Sequence, residues 1–101
     1  MAEPPDRRFP PATEAAFEAL RLRFVAGLPA RWREIEQAES VPARQAALHR
    51  LAGAAGSFGL APLGEAARQA ERLLLADDPA ALAAALDALK SGLQAHCATL
   101  R

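Results

Sequence analysis

The stretch from residue 48 to residue 59 constrains this chain more than any other, because it combines a helical pattern with residues that have almost no side chain. Glycine in a helix interior costs up to about 1 kcal/mol relative to alanine, and this stretch contains both Gly53 and Gly56. Positions three, four and seven residues after His49 share its helix face, and they are Ala52, Gly53 and Gly56. We therefore expect the imidazole of His49 to stand above a bare patch of helix that a large partner can approach closely.

The composition predicts a single helical domain. A chain of 101 residues corresponds to one domain with a modest core. Hydrophobic residues make up 51 % of the chain, but aromatic residues make up only 5 %, and a sequence rich in alanine and leucine with little β-branching favours helices. The 12 basic and 12 acidic side chains balance to a net charge of zero, which argues against a general nucleic-acid binder.

Cysteine usage and the chain ends predict a cytoplasmic, free-standing protein. The single cysteine, Cys97, allows no internal disulfide, and no signal peptide or apolar run of the roughly 20 residues that span a bilayer is recognisable. Residues 1–12 are rich in proline, and we expect them to form a flexible tail. Residues 13–101 then form the domain, and because the chain starts at Met1 and stops just after the last predicted helix, we expect it to be complete.

Caps and helix-breaking residues divide the domain into helices joined by short loops. We expect these at the N-cap Thr13, the break Gly27-Pro29, the first-turn prolines Pro42, Pro62 and Pro79, the terminator Gly59 and the cap Asp78. Apolar residues recur between them at three- and four-residue spacing: Phe17, Leu20, Phe24 and Leu28; Trp32 and Ile35; Leu48, Leu51 and Ala55; Leu63, Ala67, Ala70 and Leu74; Leu82, Leu86, Leu89, Leu93 and Leu100. Because short loops make neighbouring helices antiparallel, the sequence predicts an all-α, antiparallel up-down four-helix bundle with a shorter leading N-terminal helix.

The stretch around His49 resembles the signature of the histidine-containing phosphotransfer (HPt) domain family of bacterial phosphorelays. That signature is His, any residue, Leu, Lys and Gly, followed by a run of small residues that ends in Gly. His49, Leu51, Gly53 and Gly59 stand at the matching places, whereas Ala52 replaces the lysine of the family. The predicted order of helices extends the resemblance over nearly the whole chain.

The resemblance implies that His49 is a phosphoacceptor that carries a phosphoryl group between receiver-domain aspartates. Neutral imidazole, with an ordinary pKa of about 6.5, is a good nucleophile near neutral pH, and phosphoryl transfer depends mostly on positioning and charge neutralisation. We expect a phosphocarrier without turnover of its own. Its partners would be the receiver domains of a hybrid histidine kinase and of a response regulator, with Mg²⁺ bound by the receiver and no cofactor or metal on this chain.

The residues expected to support the histidine lie on two helices. The resemblance implies that Glu71 accepts a hydrogen bond from Nδ1–H of His49 and leaves Nε2 free. The alternative is that Glu71 is an exposed helix residue that pairs with Arg68. Gln45 shares the face of His49 one turn earlier, and Gly53 and Gly56 permit a partner to approach. We expect a monomer that binds neither nucleic acid nor membrane.

The missing lysine leaves a charge to be supplied by another side chain. Arg50, adjacent to the histidine in sequence, is the candidate for steering the partner in place of Ala52. Arg68 and Arg72 on the following helix are alternatives, and the planar guanidinium suits phosphate. The opposite interpretation is that these arginines are merely solvated.

Other interpretations of the same residues remain open. His96 and Cys97 are adjacent in sequence and therefore point in different directions on a helix; without metal-ligand spacing they are expected to be structural. Trp32 is expected in the core, whereas Leu20 or Phe24 could form an apolar rim for a receiver.

The rival function is a binding-only regulator of a kinase or receiver, favoured by the loss of the lysine. A third interpretation is a structural helical module or a phosphoacceptor domain of a larger kinase. The sequence contains no motif that supports a catalytic enzyme.

Overall fold

The computed structural model describes residues 11–99, and within them all regular structure is helical. The five helices are α1 (Pro11–Ala26), α2 (Leu28–Glu36), α3 (Val41–Ser57), α4 (Ala61–Leu75) and α5 (Pro79–Ala98). Helix α3 packs against α2 and α4, and α5 closes the ring by packing against α4 and α2, while α1 contacts only α2 and α5 among the helices. The predicted all-α bundle is therefore confirmed. None of these helices combines the length and apolar character that crossing a membrane requires.

Local chemistry fixes where the central helices begin and end. The side chains of Ser40 and Asp78 accept hydrogen bonds from the backbone N–H groups three residues later, at 3.2 and 3.1 Å, and so cap α3 and α5. Proline occupies the first turn of α2, α3, α4 and α5, where its missing N–H costs nothing. Gly59 has a φ of +75°, and this left-handed residue lets Leu60 N–H bond to Ala55 C=O at 2.9 Å, which terminates α3.

The start of the domain differs from the prediction in two respects. Helix α1 begins at Pro11, a residue suited to the first helical position, so Thr13 lies inside the helix and is not its N-cap. The leading helix is also not the short one, because α1 has 16 residues and α2 has 9. The chain turns between them at Gly27, two residues before Pro29, which has no N–H to continue the helical ladder. The predicted tail falls mostly on residues 1–10, which lie outside the described residues, as does Leu100.

The core is formed by the apolar stripes that the spacing predicts. Its most completely buried large side chains are Leu28, Ile35, Leu48, Leu51 and Leu89. Burying each such side chain is worth about 1.5–3 kcal/mol, so these positions hold α2, α3 and α5 together, and Leu63, Ala67 and Ala70 add the buried face of α4. Their regular spacing also determines which face of α3 points outward.

The stripe of α1 is buried only at its C-terminal end. Phe24 is 7 % exposed, but Phe17 and Leu20 are 47 % and 48 % exposed, because the first half of α1 extends past the four-helix ring. The rings of Phe17 and Phe24 lie 5.8 and 5.1 Å from that of Phe58 at the end of α3. Leu20 therefore remains available for an apolar rim, and Phe24 does not. Trp32 packs against the core, as predicted.

Helix α5 carries the second histidine and the cysteine without bringing them to a metal site. Cys97 is partly buried against the core, with its Sγ 3.8 Å from the carbonyl oxygen of Val25. Among the residues that the structure describes, no group of three or more His, Cys, Asp or Glu side chains is placed to hold a metal ion. The partial burial of Cys97 is the packing of a small apolar side chain against the core.

Candidate functional site

The site is built on the interface between α3 and α4, which run antiparallel. Gln45 and His49 on α3 both contact Glu71 on α4, whereas Gly56, later on α3, lies near Arg68, earlier on α4. The two helices lie close together at Gly64. A Cβ added there would stand 3.1 Å from the carbonyl oxygen of Ala52 and 3.5 Å from the backbone nitrogen of Gly56.

His49 faces solvent because its neighbours in sequence face the core. Leu48 and Leu51 are 0 % and 1 % exposed, and one residue corresponds to a rotation of about 100° around a helix. The side chain of His49 accordingly lies outside the buried stripe and is 78 % exposed. Of the two histidines in the sequence, it is the exposed one, since His96 is half-buried.

Glu71 lies beside the imidazole of His49. Its Oε1 is 3.4 Å from Nδ1 of His49, and its Oε2 is 3.4 Å from the amide nitrogen of Gln45. The Glu71 side chain is only 15 % exposed, so its position is set by packing. An ionised carboxylate can only accept hydrogen bonds, so this contact favours the ring tautomer with its proton on Nδ1 and the lone pair on Nε2.

The bare patch predicted beside His49 is present and borders a cavity. An open cavity of about 260 Å³ is lined by His49, Ala52, Gly53, Arg68, Glu71 and Arg72. Nothing lies within 4 Å of the position that a Cβ on Gly53 would occupy. A Cβ on Gly56, in contrast, would be in van der Waals contact with Nη2 of Arg68, at 3.7 Å. The surface at Gly53 is therefore open, whereas the surface at Gly56 is bordered by an arginine from α4.

The basic residues lie on opposite sides of the histidine. Arg50 forms an ion pair with Glu34 of α2, on the side of α3 away from the cavity. Arg68 and Arg72 line the cavity itself, and both contact Glu65, at 3.5 and 3.2 Å. The alternative in which Glu71 pairs with a neighbouring arginine is not what the structure contains; the acidic partner of these arginines is Glu65.

Two features of the site lie beyond what sequence reasoning identified. Gly64 lets α3 and α4 lie close together, and Glu65 pairs with Arg68 and Arg72. The spacing of Glu65, Arg68 and Arg72 on one helix face was a signal for the ion pairs. Small residues on two neighbouring predicted helices, Ala52 and Gly64, were a signal for the close approach of α3 and α4.

Fold and site together define an all-helical domain that presents one histidine to solvent and holds it with a carboxylate from the neighbouring helix. The family model for the Hpt domain matches residues 14–99. The chain belongs to the Hpt domain family, whose members are phosphocarriers in histidine phosphotransfer and interact with phosphorelay partners such as kinases and receiver domains. A search of curated proteins found no match, and neither did a search of solved structures.

Proposed function

We propose that this chain carries a phosphoryl group on Nε2 of His49 between the aspartates of two receiver domains, one of a hybrid histidine kinase and one of a response regulator. The observation that carries the proposal is the pairing of a 78 % exposed imidazole with the 15 % exposed carboxylate of Glu71. A cytoplasmic monomer without turnover of its own is part of the same proposal.

The transfer step requires no proton to leave the site. The lone pair of Nε2 attacks the phosphorus of the aspartyl phosphate, an N–P bond forms, and the P–O bond breaks as the aspartate carboxylate departs with its electron pair. The ring becomes a phosphorylated imidazolium that keeps its proton on Nδ1. The carboxylate of Glu71 would hold that proton and stabilise the positive ring, and transfer to the second aspartate is the same step in reverse.

The receiver supplies what this small domain lacks. Phosphoryl transfer depends on positioning and on neutralising charge at the phosphorus, and Mg²⁺ on the receiver would neutralise the oxygens on the aspartate side. The role of His49 is to present a nucleophile that a second protein surface can reach, and the open surface at Gly53 supports that role.

The decisive experiment offers the protein a panel of receiver domains phosphorylated on aspartate. We expect transfer of the label to this chain in a form that is stable in base and labile in acid, as a phosphohistidine is, and that maps to His49 by mass spectrometry. Absence of label with every receiver, while a pull-down shows that a receiver still binds, would contradict the carrier proposal. That outcome would establish the second candidate, a binding-only regulator, which Ala52 in place of the family lysine favours.

Replacing Glu71 with alanine is expected to slow phosphoryl transfer by about tenfold or more, because a hydrogen bond to a charged group is lost. Glu71→Gln keeps an acceptor oxygen and is expected to retain more of the rate. The measurement is the rate of transfer from a phosphorylated receiver, together with the ¹⁵N shifts of the His49 ring, which report the tautomer. Equal rates for both variants and the wild type would remove Glu71 from the mechanism.

Replacing Gly53 with alanine is expected to separate stability from activity. No atom lies within 4 Å of the new Cβ, so the change should raise the free energy of unfolding by up to about 1 kcal/mol. The same methyl group stands on the surface that the receiver must approach, and we expect slower transfer. Urea denaturation and the transfer assay measure the two effects; a variant that is more stable and transfers at the wild-type rate would show that this surface is not part of the interface.

A further inference from the structure

We propose, building on the proposed function, that Arg68 and Arg72 form the site that neutralises the phosphoryl group on His49, and that Glu65 holds both arginines while the histidine is unmodified. In this proposal, the positive charge that the family lysine provides on the histidine helix is provided by α4 instead. Arg50, the candidate nearest to the histidine in sequence, is not among the residues that line the cavity, and it contacts Glu34 of α2 instead.

The first argument is the charge around the cavity. Of the six residues that line it, Arg68 and Arg72 carry the permanent positive charges, and Glu71 carries the negative charge engaged by the histidine ring. The position of the family lysine offers no replacement, because Ala52 is 3 % exposed. Within residues 11–99, the basic side chains that line the cavity both come from α4.

The second argument is that Arg68 lies against α3. Its Nη2 would be in van der Waals contact, at 3.7 Å, with a Cβ placed on Gly56, so the guanidinium crosses from α4 to the surface of α3. Gly56 lies seven residues after His49, on the same face of α3. The guanidinium is therefore on the side of α3 that carries the histidine.

The third argument is that the arginines are held by an exchangeable partner. Glu65, Arg68 and Arg72 are 63 %, 48 % and 58 % exposed, and exposed ion pairs contribute little to stability. A phosphoryl group carries nearly two negative charges and three acceptor oxygens, and guanidinium groups bind such oxygens in pairs. The phosphoryl group therefore competes for the arginines with the exposed carboxylate of Glu65 and, at Arg72, also with the amide oxygen of Gln69, 2.6 Å from Nη2.

The experiment compares the double variant Arg68→Ala/Arg72→Ala with Arg68→Lys/Arg72→Lys and with the control Arg50→Ala. We expect the double alanine variant to transfer about tenfold more slowly at saturating receiver, the double lysine variant to recover most of the rate, and the control to match the wild type. Glu65→Gln, which releases the arginines, is expected to raise the rate by up to about fivefold. Circular dichroism checks that each variant remains helical.

A second readout removes the receiver from the measurement. Phosphoramidate can phosphorylate the histidine directly, with its P–N bond breaking and ammonia leaving, and the ³¹P chemical shift of the product then reports the surroundings of the phosphoryl group. We expect that shift to change in the double alanine variant and to stay at the wild-type value in Arg50→Ala. Unchanged shift and unchanged transfer in the double alanine variant would overturn the inference. Failure of receivers to label a protein that phosphoramidate labels, with the expected ³¹P change, would overturn the proposed function alone.

Discussion

Glutamine at position 49 is expected to abolish phosphoryl transfer to this protein altogether. The amide nitrogen of glutamine has no lone pair available for attack on phosphorus, whereas Nε2 of the His49 imidazole has one when the proton is on Nδ1. The measurement is the amount of acid-labile, base-stable label after incubation with a phosphorylated receiver. Because position 49 is 78 % exposed, the free energy of unfolding should change by only about 0.5 kcal/mol or less, so loss of label will report chemistry and not unfolding.

The chain offers a matched control in its second histidine. His96 on α5 is half-buried and is not among the residues that line the cavity beside Glu71. His96→Gln removes the same functional group, and we expect it to be labelled to the wild-type level. Label that persists in His49→Gln but disappears in His96→Gln would move the phosphoacceptor to α5 and contradict the site described above.

The helical pattern was predictable because it depends on neighbours in the sequence. The stripe of Leu48, Leu51 and Ala55 is buried as the spacing predicts, and its burial alone is enough to turn His49 outward. Caps at Ser40 and Asp78 work by contacts over three residues, which a sequence displays directly. The contact of Glu71 with the histidine was accessible through the family alignment, which carries information about the packing of one helix on the next.

What the sequence did not disclose depends on the separation and rotation of helices. The side chain of Arg50 was expected to act near His49 because the two are adjacent in the chain, but a rotation of about 100° per residue directs it toward Glu34 on α2. In the same way, the stripe of α1 predicts burial for Phe17, which is 47 % exposed, since periodicity shows which face is apolar and not whether another helix covers it. The place where Gly64 meets α3 is a property of two helices together.

Replacing Gly64 with leucine is expected to lower the free energy of unfolding by about 3 kcal/mol, at the upper end of what overpacking usually costs. Even the first atom of a side chain would stand 3.1 Å from the carbonyl oxygen of Ala52 and 3.7 Å from the Cβ of Ala55. Both atoms belong to α3, which the core holds in place. A leucine side chain at position 64 can therefore be accommodated only if α3 and α4 move apart. The expected measurement is the midpoint of urea denaturation.

The same displacement connects stability to the chemistry. Glu71 reaches His49 across the interface that Gly64 keeps close, and at 3.4 Å the contact has little room to lengthen before the hydrogen bond is lost. We therefore expect the Gly64→Leu protein that remains folded to transfer phosphoryl groups more slowly. Gly92→Leu is the matched control, because Gly92 is exposed on α5 and its added Cβ would meet only Leu63 at 3.9 Å. If both leucine variants were equally stable and equally active, close packing of α3 on α4 could not be what positions the carboxylate beside the imidazole.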